Sequence, residues 1–500
     1  MTVAVTTLVN ALQEAGLLVE TTAPLPERVA QIVDDSRRVT AGSLFLAVRG
    51  AREDGHRYLD AAALGGATMA MVAEGEEAPM PAVRVRDTRR AAATLAAAFY
   101  GFPARSLRIV AVTGTNGKTT TVGMLRHLLD EPGAPAASVG TLGVLLGSVG
   151  TPLSDGGDRL TTPGPIELQR VLHDLVRRGV RLVALEASSH ALHQRRLEGV
   201  PVDVGVFTNL TRDHLDYHGT MEAYRDAKAL LIGLLGATGT AVVNADDAAW
   251  TALPAAPHTL RFSAGAADRA DVRAATVHFS ATSTAFTIET SAGRAHVVLP
   301  LLGDFNVANA TGAAAAALAL GLPLETVAER LSTLPQVPGR LEVLHRGPVI
   351  LRDYAHTPDA LERCLMAVRS LAVERGGRLL VLFGCGGDRD RGKRPVMGRI
   401  AETMADLVVL TSDNPRTEDP DRILDDIAAG MHGAPDSYAR IEDRRDAIAF
   451  ALERATDADV VVLAGKGHET YQVRGTVSYP FDEAAIVREL LAAQPGAPFE

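Results

Sequence analysis

The stretch Arg108-Ile109-Val110-Ala111-Val112-Thr113-Gly114-Thr115-Asn116-Gly117-Lys118-Thr119-Thr120-Thr121 decides how this chain is read. Its β-branched run reads as a buried strand, Gly114 to Gly117 as a tight turn, and Lys118-Thr119 as the opening of a helix. Strand, glycine turn and helix N-terminus together form a phosphate cradle, because free backbone N–H groups and the positive end of the helix dipole face one anion. In such a loop Gly114, Thr115, Asn116, Gly117 and Thr120 line the phosphates. Lys118 reaches the outer ones, and the Thr119 hydroxyl is placed for Mg²⁺. Val112 stands where the common GxxxxGK[ST] pattern has its first glycine, so the loop is a narrower variant. A plain glycine-rich turn is the alternative reading. The loop alone does not say which reaction a bound nucleotide serves.

With 500 residues the chain has room for about three domains of roughly 150 residues each. Hydrophobic content of 47% supports packed cores, and a net charge of −10 argues against a broad nucleic-acid-binding face. Basic residues are concentrated locally, as in Arg389-Asp390-Arg391-Gly392-Lys393-Arg394, which suits anionic substrates. Cys364 and Cys385 are the only cysteines, too few for a disulfide framework, and they fit a reducing cytosol. Residues 1–18 lack the basic start and apolar core of a signal peptide. The longest apolar run, 313–320, is far short of the roughly 20 residues a membrane span needs. The expectation is a cytoplasmic, monomeric enzyme with neither nucleic acid nor membrane as partner.

Two breaks, Gly101-Phe102-Pro103-Ala104 and Leu334-Pro335-Gln336-Val337-Pro338-Gly339-Arg340, divide the chain into blocks 1–103, 104–337 and 338–500. In the middle block strands at 182–185, 204–207 and 240–243 alternate with helical segments. In the last block strands at 349–352, 379–383, 407–411 and 460–464 do the same. This alternation predicts α/β domains with mainly parallel sheets. The first block is mixed, with strands at 43–48 and 69–72 around a helical 58–65.

Further clusters sit where strands end. Leu185-Glu186-Ala187-Ser188-Ser189-His190 closes an apolar strand with a carboxylate, and ligands of parallel sheets gather at such ends. Glu186 is therefore placed to hold Mg²⁺ opposite Thr119. The serines equally suit a helix-capping box. Val206-Phe207-Thr208-Asn209-Leu210-Thr211-Arg212-Asp213-His214-Leu215-Asp216-Tyr217-His218 gathers two His and two Asp, but it lacks Cys and the HExxH spacing of a zinc site. Lys228, in Tyr224-Arg225-Asp226-Ala227-Lys228, reads by itself as a solvated helix residue. Asp353-Tyr354-Ala355-His356-Thr357-Pro358 reads as a strand-to-helix turn. Gly386-Gly387-Asp388-Arg389, Asp413-Asn414-Pro415-Arg416 and Gly465-Lys466-Gly467-His468-Glu469 each follow an apolar strand, so all three can gather at one sheet edge as an amino-acid pocket.

GTNGKTT, EASSH, DHLDYH, the Lys228 segment and DNPR, in this order, resemble the Mur ligase family, ATP-dependent enzymes that join amino acids to a cell-wall precursor. The resemblance spans nearly the whole chain. It implies an N-terminal uridine-diphosphate-binding domain, a central ATPase domain and a Rossmann-like C-terminal domain. It makes Thr119, Glu186, His214 and a carbamylated Lys228 the Mg²⁺ ligands, with Lys118 beside them in catalysis. A carbamate replaces the ammonium with an oxygen anion, which can ligate Mg²⁺ where a cation would repel it.

Asn306, in Gly303-Asp304-Phe305-Asn306, is carried over as an adenine contact, and Arg340 and Asp353 as ATP contacts from the C-terminal domain. The muramyl substrate falls to Ser36, Thr161, Thr162, Ser188, Gln194 and Arg196. Leu160 stands where this group often has Asn. The amino acid falls to Arg389, Asp413, Asn414, Pro415, Arg416, Gly465 and Glu469. The implied substrates are ATP, UDP-N-acetylmuramoyl-L-Ala-D-Glu and diaminopimelate, whose second carboxylate an Arg416 fork can take. Folylpolyglutamate synthetases share the ATPase core, but DNPR and the Ser36 segment argue against them. A nucleotide-driven switch or motor is the reading from another class, and no guanine-reading motif or nucleic-acid charge supports it.

Overall fold

The structure is a computed structural model that describes residues 2–22, 24–50, 53–153, 160–265, 269–280, 283–433 and 438–493. Three sheets organise it. The central sheet has eleven strands, and its strand Arg108–Thr113 lies between Leu182–Glu186 and Val202–Phe207, paired parallel to both. Parallel pairing extends outward through Ala136–Gly140 on one side and through Leu235–Asn244, His258–Ser263 and Val272–Phe279 on the other. Both margins are antiparallel, the one ending in the meander Val272–Phe279, Thr284–Thr290 and Gly293–Leu299. Three parallel neighbours thus deliver the glycine turn, Glu186 and the segment after Phe207 to the same sheet edge. Chain topology builds the site before any side chain is considered.

The apolar run noted at 313–320 lies mostly within the helix Asp304–Ala319, whose Ala310 and Ala313 to Ala317 are fully buried. Small side chains let this helix lie close on its neighbours, and Asn309 on it closes against Gly117. Val110, Val112, Val204, Val206 and Val242 fill the sheet beneath, each contributing about 1.5–3 kcal/mol on burial.

The C-terminal sheet runs Glu342–Arg346, Val349–Asp353, Val460–Ala464, Leu379–Phe383, Leu407–Leu410, Tyr438–Arg440, parallel except at the first pair. Its adjacent strands Val460–Ala464, Leu379–Phe383 and Leu407–Leu410 feed the three charged turns, so these do share one edge. The N-terminal sheet has five strands in the order Leu18–Thr21, Ala82–Val85, Ala67–Ala73, Ser43–Leu46, Gln31–Val33. Local chemistry sets the helix starts. Asp87 caps Thr88–Phe99, Thr220 caps Met221–Ala229, and Thr357 caps Pro358–Glu374 with proline in the first turn. Among the described residues no helix is long and apolar enough to cross a membrane.

Candidate active site

Glycine is required at both ends of the phosphate loop. Gly114 has φ +149, and a Cβ there would fall 1.8 Å from Thr208 Oγ1; Gly117 has φ +84, and a Cβ would fall 2.2 Å from Asn309 Oδ1. The loop is also tied from outside. Thr115 N donates to Asn209 O (2.7 Å), Asn116 N to Asn209 Oδ1 (2.9 Å), and Thr208 Oγ1 to Asn116 O (2.7 Å). The helix Lys118–Leu128 follows, burying Thr119 and Thr120.

Two lysines meet over this loop. Lys118 Nζ folds back onto Gly114 O (2.9 Å) and Thr115 O (2.8 Å), and Lys228 Nζ donates to the same Gly114 O at 2.7 Å. Lys228 is 1% exposed, with its Nζ 4.3 Å from the centre of the Tyr224 ring. Burial first, and then the Lys118 charge, hold the Lys228 amine well below the ordinary lysine range. A solvated helix residue, the reading of the residues alone, is not what the fold makes of it.

Glu186 is buried at its strand end, gripped by Thr141, whose N–H donates to Oε1 (2.8 Å) and whose hydroxyl donates to Oε2 (3.1 Å). Gly140 gives it room, since a Cβ there would lie 2.3 Å from Oε1. Thr119 and Glu186 line one cavity. These hydroxyl and carboxylate oxygens suit a hard cation such as Mg²⁺, and the Lys228 amine would suit it only once converted to an oxygen anion. His214 is the least enclosed of the candidate ligands. It has φ +53, and its backbone N–H donates to Asp213 Oδ1 at 2.8 Å. Burial and then the two lysines push its imidazole down, against the pull of Asp213. His190 stands 4.8 Å from the His214 ring and 4.1 Å from that of Tyr217, and burial lowers it to about 4.

Beside Glu186 lies a connected polar track. Thr162 Oγ1 donates to Glu186 O (2.7 Å) and accepts from Ser188 N (3.1 Å); Arg196 donates to Thr162 O (2.8 Å) and to Gln194 Oε1 (2.7 Å). Thr161 joins through Thr141 Oγ1 (3.3 Å). Ser188 also caps the helix Ser189–His193 through Ala191 N (3.2 Å), the capping role its sequence context offers. Leu160 is exposed at the start of this segment, and Arg159 before it lies outside the described residues. Asn306 is buried, donating to Leu302 O at 2.7 Å. Ser36 stays in the N-terminal domain, within the one-turn helix Ser36–Arg38 that Asp35 caps.

The C-terminal domain touches the loop directly. Arg340 donates to Thr119 Oγ1 (3.2 Å), and Asn116 Nδ2 donates to Asp359 Oδ2 (2.9 Å). Asp353 accepts from Leu341 N at 2.7 Å, and burial raises its carboxyl to about 6 against the pull of Arg340. In the third cluster Asp413, Asn414, Pro415 and Gly465 are buried. Asn414 Nδ2 donates to Glu469 Oε2 (2.9 Å), and Arg416, at φ +51, donates to Gly387 O (2.8 Å). Burial, then Asp413, pushes the Glu469 carboxyl up. Arg389 is exposed at the rim. Thr141, Asn209 and Asp359 were missed by sequence reasoning. Asn209 lies in the quoted strand-end cluster without being singled out there, Thr141 and Asp359 stand in no recognised motif position, and each acts through a partner distant in sequence.

The chain matches three family descriptions in order: the Mur ligase family catalytic domain over 28–100, the Mur ligase middle domain over 112–317, and the Mur ligase glutamate ligase domain over 339–467. The UDP-N-acetylmuramoyl-L-alanyl-D-glutamate–2,6-diaminopimelate ligase of Geobacillus kaustophilus is 44% identical over 468 residues, covering 91% of this chain and 93% of that protein. The enzyme of the same name from Gloeobacter violaceus is 44% identical over 470 residues, covering 93% and 94%. A solved structure of a ligase of that name aligns at TM-score 0.68 and 35% identity over 99% of this chain and 100% of that one. The MurF ligase of Thermotoga maritima in complex with ADP shares the fold at TM-score 0.62 and 21% identity, over 88% and 94%. With a glycine-bounded phosphate loop, a strand-end glutamate and two converging lysines in a fold aligned end to end with these proteins, the chain belongs to the Mur ligase family.

Proposed function

We propose that this protein is an ATP-dependent ligase that adds diaminopimelate to the D-Glu γ-carboxylate of UDP-N-acetylmuramoyl-L-Ala-D-Glu. The observation that carries the reading is a phosphate loop in one domain facing, across Arg340–Thr119 and Asn116–Asp359 contacts, a domain that gathers buried Asp413 and Asn414 with half-buried Arg416. Relatives of that name, matched over more than nine-tenths of the chain, support it.

A carboxylate is a poor electrophile, so the γ-phosphoryl group of ATP is transferred to it first, giving an acyl phosphate and ADP. The amine of the amino acid then attacks the acyl carbon, and phosphate leaves with the bond to oxygen. Lys118 and the loop N–H groups offset the anionic charge of the phosphates. Bound Mg²⁺, held by Thr119, Glu186, His214 and carbamylated Lys228, would supply further charge neutralisation. Thr161, Thr162, Ser188, Gln194 and Arg196 hold the muramyl peptide, Ser36 the uridine diphosphate, and Asn306, Arg340 and Asp353 the nucleoside. ATP turnover should require both the muramyl dipeptide and diaminopimelate, and should release ADP and phosphate. AMP and pyrophosphate as products would overturn the acyl-phosphate route.

A further inference from the structure

Lys466 has no part in the chemistry above, yet it is among the most enclosed charges in the molecule, with its side chain 0% exposed. Its Nζ donates to Tyr471 O (2.8 Å) and Asn414 Oδ1 (3.2 Å) and lies 3.6 Å from Asp413 Oδ1 and 3.7 Å from Glu469 Oε2. Three side chains assigned to the amino-acid pocket therefore converge on one ammonium. Asp413 Oδ1 is buried without a hydrogen-bond partner, so Lys466 is its compensating charge. The backbone that carries Lys466 is itself pinned. Gly465 and Gly467 have φ +110 and +52, and a Cβ on Gly467 would fall 2.6 Å from Tyr354 Cβ.

The hairpin Tyr471–Arg474 and Val477–Pro480 completes the frame. Gln472 Nε2 donates to Asp413 O (2.9 Å), Val473 N to Asn414 Oδ1 (2.9 Å), and Arg416 N to Val473 O (3.1 Å). The Asn414 amide oxygen is held by Lys466 and Val473, which turns its amide nitrogen toward Glu469.

Resting on the ligase reading above, we propose that Lys466 is a positioning residue of the amino-acid pocket, one that fixes Asn414 and balances Asp413 and Glu469. Two carboxylates then face two cations, Lys466 and Arg416, and the pocket matches the zwitterionic far end of diaminopimelate in charge. Without the ammonium the pocket carries one unbalanced negative charge. That charge repels the second carboxylate, the group that distinguishes diaminopimelate from lysine. Burial and Asp413 already drive the Glu469 carboxyl up, while Asn414 and then Lys466 oppose them, so the same loss would move it further in that direction.

The test compares the wild-type full chain with Lys466→Met and Lys466→Arg in steady-state assays, with thermal melts as the check on folding. Lys466→Met should raise KM for meso-diaminopimelate on the order of 10²-fold. KM for ATP and for the muramyl dipeptide should stay within about twofold. The kcat/KM ratio of diaminopimelate to L-lysine should fall with it. Lys466→Arg keeps the charge but displaces the Asn414 oxygen, and should raise KM for diaminopimelate about tenfold. That variant decides the matter alone if the methionine variant does not fold. An unmoved diaminopimelate KM, or a fall in kcat with all three KM values and the selectivity ratio unchanged, overturns the proposal. A wild-type enzyme without saturable dependence on diaminopimelate overturns the ligase reading itself, and is seen before either variant is measured.

Discussion

Lys228 sits in the polar segment Tyr224-Arg225-Asp226-Ala227-Lys228, yet its amine ends inside the protein against Gly114 O. An ammonium buried beside Lys118 is costly, and burial together with the Lys118 charge makes its proton easier to lose than that of an ordinary lysine. A neutral amine is the form that takes up CO₂ as a carbamate. Lys228→Ala should lose on the order of 10²–10³-fold in kcat, in the range of other electrostatic deletions, and added formate or acetate should restore part of it. Wild-type activity in the variant at limiting Mg²⁺ would rule out the carbamate. Gly114 makes a second prediction. Gly114→Ala must push Thr208 away from a Cβ only 1.8 Å from its hydroxyl. It should lower stability by about 1–3 kcal/mol and raise KM for ATP, read by chemical denaturation and kinetics. The lysine and the glycine are both legible as motif members, but only the fold shows what surrounds each.

Strand ends, rather than the helices between them, carry the chemistry. The turn after Leu407–Leu410 presents Asp413 and Asn414, and Arg416 is held at φ +51 by the bridge to Arg474 and the bond to Gly387 O. An arginine so fixed can offer a fork to a carboxylate without first losing side-chain freedom. Arg416→Ala should lower kcat/KM for diaminopimelate by about 10²-fold or more while leaving L-lysine nearly unaffected. Equal use of lysine and diaminopimelate by the wild type would remove the basis for that role.

The wall of this pocket also predicts a pH response. Arg394, 0% exposed, pairs with Glu418 (2.9 Å), which in turn accepts from Asp388 N. The Arg394 hydrogen bonds hold the Glu418 carboxyl down at about 2, from an ordinary 4.5. A depressed folded pKa gives stability that is complete above 4.5 and is lost as pH falls toward about 2. The denaturant midpoint should drop over that window, and Glu418→Gln should flatten the drop.

At the scale of the whole molecule, the phosphate loop and the Asp413–Arg416 turn fall in different Mur ligase domains, matched over 112–317 and 339–467. Reacting atoms must come within about 3–3.5 Å, so ligands that bridge the domains should draw them together. Small-angle scattering should report a smaller radius of gyration with an ATP analogue and both other substrates than without ligands, and an unchanged curve would contradict closure.

Sequence by itself determined a good deal: the phosphate loop, the α/β alternation and the strand-end location of Glu186 and of the three charged turns. These follow from local backbone preferences and from the rule that parallel strands present ligands at one edge. Tertiary structure alone decided the burial of Lys228, the clamp of Thr141 on Glu186, the Asn116–Asp359 contact and the gathering of Asp413, Asn414 and Glu469 around Lys466. Except for Glu469, three residues from Lys466, these contacts join groups tens to hundreds of residues apart. Whether a charge is solvated or enclosed depends on which elements close over it, and no local pattern records that.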